Sequence, residues 1–376
     1  MSLGELPPQG MPTLATEDAG RFLDLVRAHR LVSVLGPVAA DLGLEPPEQV
    51  HLEQATGRSR VEGELLALST LRVCDVLTEA SVPVIAFKGA GLAWHSTGDV
   101  GGRGGGDIDV IVPPACVPDA IAALAQAGGQ VRAPSFRRPG DALWEPFMRL
   151  YHEFPVQFGA VEVDVHWRFD AVPEVLSLPF NDLASRTASV PVSGSSMPTL
   201  GMDDALLVAA LHGTKERWQV LRRAIDLVRL SRRVTDFNAV HDQAEDCGVG
   251  SHLRLALCFC SWLDPAVNDL AQAFASKADW RRAQGCWQSL AQRRPAQVPA
   301  TRTQALGQIA WQWSVMPGAR ARWHLVERSL IYFKDMERLR LPAALLPLYI
   351  PLRPVMSLLP DPVDGPRSRR ARADAK

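Results

Sequence analysis

Two aspartates one residue apart, Asp107 and Asp109, open the apolar run in GGRGGGDIDVIVPP, residues 101–114. Side chains alternate along an extended strand, so both carboxylates leave one face while Ile108 and Val110 leave the other. Spaced about 7 Å apart, two such charges repel unless solvent or a cation lies between them. Hard oxygen ligands of this kind suit Mg²⁺. The same alternation recurs in VEVDVHW, with Val161, Val163 and Val165 on one side and Glu162, Asp164 and His166 on the other. Laid side by side, the two strands would gather three or four carboxylates. Either strand alone reads as a solvent-facing edge. Both together, with a glycine run before the first, point to a metal site.

The glycine run is not a phosphate loop of the Walker kind, because no Gly-Lys-Ser/Thr follows and a strand comes next. It also fails the Gly-x-Gly-x-x-Gly pattern that precedes a helix in dinucleotide-binding folds. It serves either as a mobile turn or as backbone that approaches a phosphate closely. Lys88-Gly89, closing the short run VPVIAF, is another candidate phosphate contact.

Positioning these residues requires strands in a short central stretch and helices elsewhere. Residues 17–80 carry apolar side chains at three- and four-residue intervals, a helical period. VPVIAF, DIDVIV and GAVEVDVHWRF are short β-branched runs bounded by Gly, Pro or charge. PACVPDAIAALAQAGG between them reads as a helix ending on a glycine pair. DDALLVAALHGTKERWQVLRRAIDLVRLSRR reads as mostly helical, opening on a capping aspartate. In it His212, Lys215, Gln219, Arg222 and Asp226 recur as one polar stripe. The rest, to about residue 340, is helical with proline-bounded breaks near 265, 295 and 317.

The chain has 376 residues, 47% of them hydrophobic, enough for two or three domains with a substantial core. A formal net charge of -1 provides no global field toward nucleic acid or anionic membrane. Six scattered cysteines without a CxxC pair suggest neither a disulfide framework nor a zinc site, so a reducing, cytoplasmic setting is expected. No secretory signal is visible at the N-terminus. LPAALLPLYIPLRPVMSLLP (residues 341–360) is apolar, yet its prolines and Arg353 make it no membrane span.

Taken in order, VIAFKGAGLAWHSTGDVGGRGGGDIDVIV, VEVDVHWRF and LHGTKERWQVLRRAIDLVRL resemble the uncharacterised nucleotidyltransferase family of the polymerase-beta-like superfamily. The shared pattern is a Lys-Gly-x-x-Leu turn, an arginine before Asp-Ile-Asp, an Asp-x-His-Trp strand and a helical His-x-x-Lys segment. The similarity also takes in RAHRLVSVL and LRLPAALLPLYIPLRP.

The patterning divides the chain into a helical lead-in at 1–80, a small α/β core at 81–200, a helical C-terminal domain at 201–362 and a disordered basic tail at 363–376. The resemblance implies an α+β fold with a small mixed sheet in that core. It matches Asp107 and Asp109 to a metal-binding pair and Asp164 to the third carboxylate. Lys88 and Gly89 stand where the superfamily usually has Gly-Ser, and Arg103 matches the arginine before the acidic pair. His212 and Lys215 are candidate nucleotide contacts from the helical segment. The implied reaction moves a nucleoside monophosphate from a nucleoside triphosphate to a small molecule or protein side chain, with Mg²⁺ or Mn²⁺. Two such ions about 3.5–4 Å apart would stabilise the entering and leaving oxygens. No basic groove interleaved with aromatics marks a nucleic-acid partner. The alternatives are a nucleotide-binding module without catalysis, since the Gly-Ser serine is missing, and a metal-dependent glycosyltransferase using Asp-x-Asp. The latter would need an α/β half before the acidic pair, where residues 17–80 read as helices.

Overall fold

The structure is a computed structural model that describes residues 16–131, 139–292 and 302–356. Helices α1 (Thr16–Ala28), α2 (Val32–Leu35) and α3 (Pro46–Glu79) form the lead-in. The central stretch then runs β1 (Ile85–Phe87), α4 (Gly89–Thr97), β2 (Ile108–Ile111), α5 (Val117–Gln126), α6 (Trp144–Leu150), β3 (Glu153–Phe158), β4 (Val161–His166), α7 (Phe180–Ala184), β5 (Ala188–Val192) and β6 (Ser195–Thr199). Helices α8 (Met202–Lys215), α9 (Leu221–Ser231), α10 (Phe237–Asp246), α11 (Gly250–Cys260), α12 (Pro265–Phe274) and α13 (Lys277–Gln292) follow. Beyond them lie α14 (Arg302–Val315), α15 (Gly318–Leu330), α16 (Phe333–Arg338) and α17 (Tyr349–Met356).

The six strands form one mixed sheet in the order β3-β4-β2-β1-β6-β5. β2 and β4 pair in parallel, and β1–β6 is the other parallel pair. This is the expected α+β arrangement, a small mixed sheet with helices before and after it. Strands β3, β5 and β6 lack strong alternation in sequence and are additional to the three read from it. Pro155, Pro191 and Pro198 lie within them, on outer strands β3 and β5 and on β6.

Alternation segregates the two faces. Ala86, Ile108, Val110, Phe154, Val156, Val163 and Val165 share one buried cluster with Leu66, Val73 and Leu77 of α3 and with Ile121 and Leu124 of α5. Ile85, Phe87 and Ile111 face the other way, into a cluster with Phe169 and side chains of α8, α9 and α11. β2 is buried along its whole length, which suits its β-branched content. The sheet is therefore the layer between two cores.

The expectation of a single polar stripe from His212 to Asp226 is corrected here. Residues 216–220 separate α8 from α9, and Arg217 and Trp218 both adopt φ of 56°. Burial of Trp218 drives the break. Its indole is fully enclosed, stacks on Phe259 at 5.1 Å and lies against Gly213. Nor does an aspartate cap α8. The cap position is Gly201, and Asp204 instead accepts two bonds from the Arg186 guanidinium at 2.6 and 2.9 Å.

All six cysteines are free. Among the described residues, no helix is long and apolar enough to cross a membrane. The basic tail at 363–376 and the end of the apolar run after 356 lie outside the described residues.

A methyl group at residue 213 would approach the Trp218 ring to 2.4 Å, whereas one at exposed Gly285 would meet nothing within 4 Å. Gly213→Ala should therefore lower unfolding free energy by about 1–3 kcal/mol in urea titrations. Gly285→Ala, inside α13, should raise it by about 0.5–1 kcal/mol. Equal effects would mean that the Trp218 packing does not set the α8–α9 break.

Candidate active site

β2 and β4 run in parallel with Asp109 paired to Asp164 and Ile111 to His166. Antiparallel pairing of β3 with β4 puts Glu153 opposite His166. One end of one sheet face thus collects Asp109, Asp164, His166 and Glu153. β1 ends beside them, with Phe87 opposite Asp109. The next residue, Lys88, turns the chain into α4 at φ 60°, ψ −150°. That conformation is essentially reserved for glycine and costs a lysine about 1–3 kcal/mol. It holds the ammonium 2.6 Å from Asp109 Oδ1.

Asp109 is nearly enclosed, and burial alone would raise its pKa. The His166 hydrogen bond at 3.0 Å and the Lys88 charge outweigh that and hold it below the usual carboxylate range. Asp164 has the opposite balance. Burial pushes its pKa up to about 7, and the charges of Glu153, Asp109 and Glu162 add to the effect against Lys88. Two carboxylates across one ladder rung are thereby driven apart in acidity.

These groups open into a cleft of about 690 Å³. Lys88, Gly89, Arg103, Asp107, Asp109, Asp164 and His212 all line it. Lys215 does not; its ammonium pairs with buried Asp170 at 2.7 Å. Asp107 is exposed and stands one residue before β2. It lies outside the two groups whose ligand atoms come within 4.8 Å of one another, Asp109–Asp164–His166 and His152–Glu153–His166. Arg103 is ion-paired to Asp226 at 2.8 Å. His212 is half-buried, and its enclosed Nε2 has no hydrogen-bond partner. Burial first, then Lys88, Lys215 and Arg223, lower its pKa well below the ordinary histidine range, so it is neutral.

The cleft lining is also rich in arginine, with Arg27, Arg30, Arg58, Arg103, Arg222 and Arg223 contributing. Arg222 and Asp226 form its buried anchor. Asp226 accepts from Ser96 Oγ at 2.8 Å and from Arg222 Nε at 3.2 Å, as well as pairing with Arg103. Arg222 also donates to the Gly102 carbonyl at 2.8 Å and to the Ser33 hydroxyl. The glycine run is therefore tied at its start to both the lead-in and α9.

Residues 15–264 match the family described as uncharacterised nucleotidyltransferase. The match covers well over half of the chain and contains every cleft residue named above. The chain belongs to that family. It is thus a member of the polymerase-beta-like nucleotidyltransferase superfamily. No curated protein and no solved structure matches the chain. The match ends just before α12, so α12–α17 lie beyond the shared region.

The sequence reading left out Glu153, His152, Arg223 and the Arg30–Arg58 side of the cleft. Glu153 opens a strand that alternation did not reveal. Arg58 and Arg223 sit on helices whose periodicity marks them only as polar, and Arg30 lies in the turn after α1. Arg222 and Asp226 were assigned to a helix surface, yet both are buried and paired.

A divalent cation fits this donor set. Asp109 already binds a positive charge from Lys88, and Asp164, whose pKa is raised first by burial and then by neighbouring carboxylates, is a group whose charge a cation would stabilise. An acid whose folded-state pKa exceeds its unfolded value binds more protons when folded. Its contribution is then fully present below pH about 4 and is lost as pH rises toward about 7. Without metal, Asp164→Asn should gain melting temperature over the wild type across this window, the difference levelling above pH 7. Parallel melting profiles in chelator from pH 4 to 8 would show that Asp164 is not crowded.

Proposed function

We propose that this nucleotidyltransferase transfers a nucleoside monophosphate from a nucleoside triphosphate to a small-molecule or protein acceptor, with Mg²⁺ or Mn²⁺. The observation that carries this reading is the rung pairing of Asp109 with Asp164 in a cleft that arginines also line. In such a transfer an acceptor oxygen attacks the α-phosphorus, the bond to the β-phosphate oxygen breaks, and pyrophosphate leaves. A divalent ion held by Asp107, Asp109 and Asp164 would supply Lewis-acid stabilisation of the phosphoryl oxygens when bound.

The chain's own groups have complementary tasks. Asp164, beside Asp109 on the neighbouring strand and lining the cleft, is suited to take the acceptor hydroxyl proton. Lys88 and Arg103 are suited to neutralise phosphate oxygens once an anion draws them from Asp109 and Asp226. Gly89, in a left-handed conformation at φ 38°, lets backbone come close to a phosphate at the start of α4. His212 offers an unpartnered nitrogen for a nucleotide hydrogen bond. Lys215 supports the site indirectly through Asp170.

A second reading is a nucleotide-binding module without turnover. The Lys88–Asp109 ion pair favours it, because an ammonium already occupies a carboxylate oxygen that the metal would need. The glycosyltransferase alternative loses support, since residues 16–79 hold helices α1–α3 in place of an α/β half.

The test supplies each α-labelled nucleoside triphosphate with Mg²⁺ or Mn²⁺, alongside metabolite and protein acceptors. The wild type should transfer label, and the Asp107→Asn/Asp109→Asn double variant should not. Asp164→Asn should reduce single-turnover transfer by about two to four orders of magnitude while largely sparing nucleotide binding. Lys88→Ala should instead weaken binding. Metal-dependent binding by the wild type without any transfer would select the binding module.

Metal with nucleotide should also raise the melting temperature. At a hundredfold excess over the dissociation constant the gain corresponds to about 2.7 kcal/mol. An unchanged shift in the double variant would remove Asp107 and Asp109 from the metal site.

A further inference from the structure

The carboxylate pair does not exhaust the donors at this end of the sheet. His152 immediately precedes β3, and its carbonyl accepts from Trp167 N at 3.0 Å, which ties it to the end of β4. Its ring and that of His166 lie 5.5 Å apart at a steep angle. Between them Glu153 Oε2 lies 3.3 Å from His152 Nε2 and 3.5 Å from His166 Nε2. We propose that His152, Glu153 and His166 form a second cation site, distinct from the acidic pair, that takes a borderline divalent ion such as Zn²⁺ or Co²⁺.

The distances support coordination. Metal–ligand bonds of about 2.0–2.1 Å in a tetrahedral site imply ligand–ligand edges of about 3.4 Å. Both measured separations fall at that value. The surroundings point the same way. His152 and His166 are both more than nine-tenths buried, and the Nδ1 of each has no hydrogen-bond partner. The two buried imidazoles converge through their Nε2 atoms on one carboxylate oxygen, and an ion at that point would replace these close contacts with three ligand bonds.

The donor types decide the metal. Two imidazole nitrogens and one carboxylate suit Zn²⁺ and its neighbours, whereas Mg²⁺ takes oxygen ligands and keeps its waters. Three protein ligands leave a coordination position open. Glu153 lines the cleft with its side chain 39% exposed, so the ion has a path in from the same cavity. Because His166 Nε2 also bonds Asp109, filling the second site removes that hydrogen bond and couples the two sites through one ring.

The proposal requires no nucleotide turnover, so its test separates from the transfer assay. Full-length protein stripped with chelator is titrated with Co²⁺, followed by visible absorbance, and with Zn²⁺ against an indicator dye. Both titrations contain excess Mg²⁺ and no nucleotide. The wild type should bind one ion that Mg²⁺ does not displace. Glu153→Gln should weaken it at least tenfold, as should His152→Gln, while Asp107→Asn leaves it unchanged. Glu153 is part-exposed, so its variant keeps the result interpretable if the His152 variant fails to fold; melting curves report this. Three results would overturn the site: no Co²⁺ or Zn²⁺ bound, displacement by Mg²⁺, or unchanged affinity in folded Glu153→Gln.

Discussion

Asp109 and Asp164 stand beside one another on the β2–β4 ladder, and Glu153 and Glu162 add charge within the same small volume. Such crowding is costly at a partly buried sheet end, and much of the surrounding structure offsets it. Lys88 places an ammonium on Asp109 at the expense of a strained backbone. His166 adds a hydrogen bond from the adjacent strand position. Asp164 has no comparable partner, and its proton affinity rises accordingly. The resulting asymmetry gives one carboxylate that stays ionised and one that exchanges a proton near neutrality.

The arginine cluster has the inverse problem. Arg103, Arg222 and Arg223 approach one another, and burial disfavours the charges of Arg222 and Arg223. Asp226 answers this from within. Burial alone would raise its pKa, but Arg103 and Arg222 outweigh that and hold it below the ordinary carboxylate range. Its contacts join α4, α9 and the glycine run, while Arg222 reaches the lead-in. Carboxylates and arginines thus line one cleft, and Asp109, Arg103 and Arg222 are each held there by an internal counter-charge. An anionic ligand with a cation would compete with both sets of internal pairs.

Alternation in DIDVIV and VEVDVHW was enough to assign each strand a polar and an apolar face, because side-chain direction along a strand is a local property. The helical lead-in and the helices after residue 200 were legible for the same reason, through their periodicity. The ordered motifs from Lys88 to Lys215 were sufficient to indicate the family. Local pattern failed where packing took over. Trp218 broke a continuous helical pattern by burying its ring against Gly213 and Phe259. Strands β3, β5 and β6 exist through their ladder partners, with weak signals of their own.

Residue type and spacing alone marked the groups able to do chemistry: a carboxylate pair, a third carboxylate on another strand, a lysine at a turn and an arginine before the pair. Which of them meet depended on the packed chain. Parallel register brought Asp109 beside Asp164, while Asp107 stayed at the exposed mouth. The break after α8 directed Lys215 to Asp170, outside the cleft. Antiparallel register added Glu153, with His152 and His166 on either side of it. Strand register and helix breaks join residues far apart in the chain, and no local spacing encodes those distances.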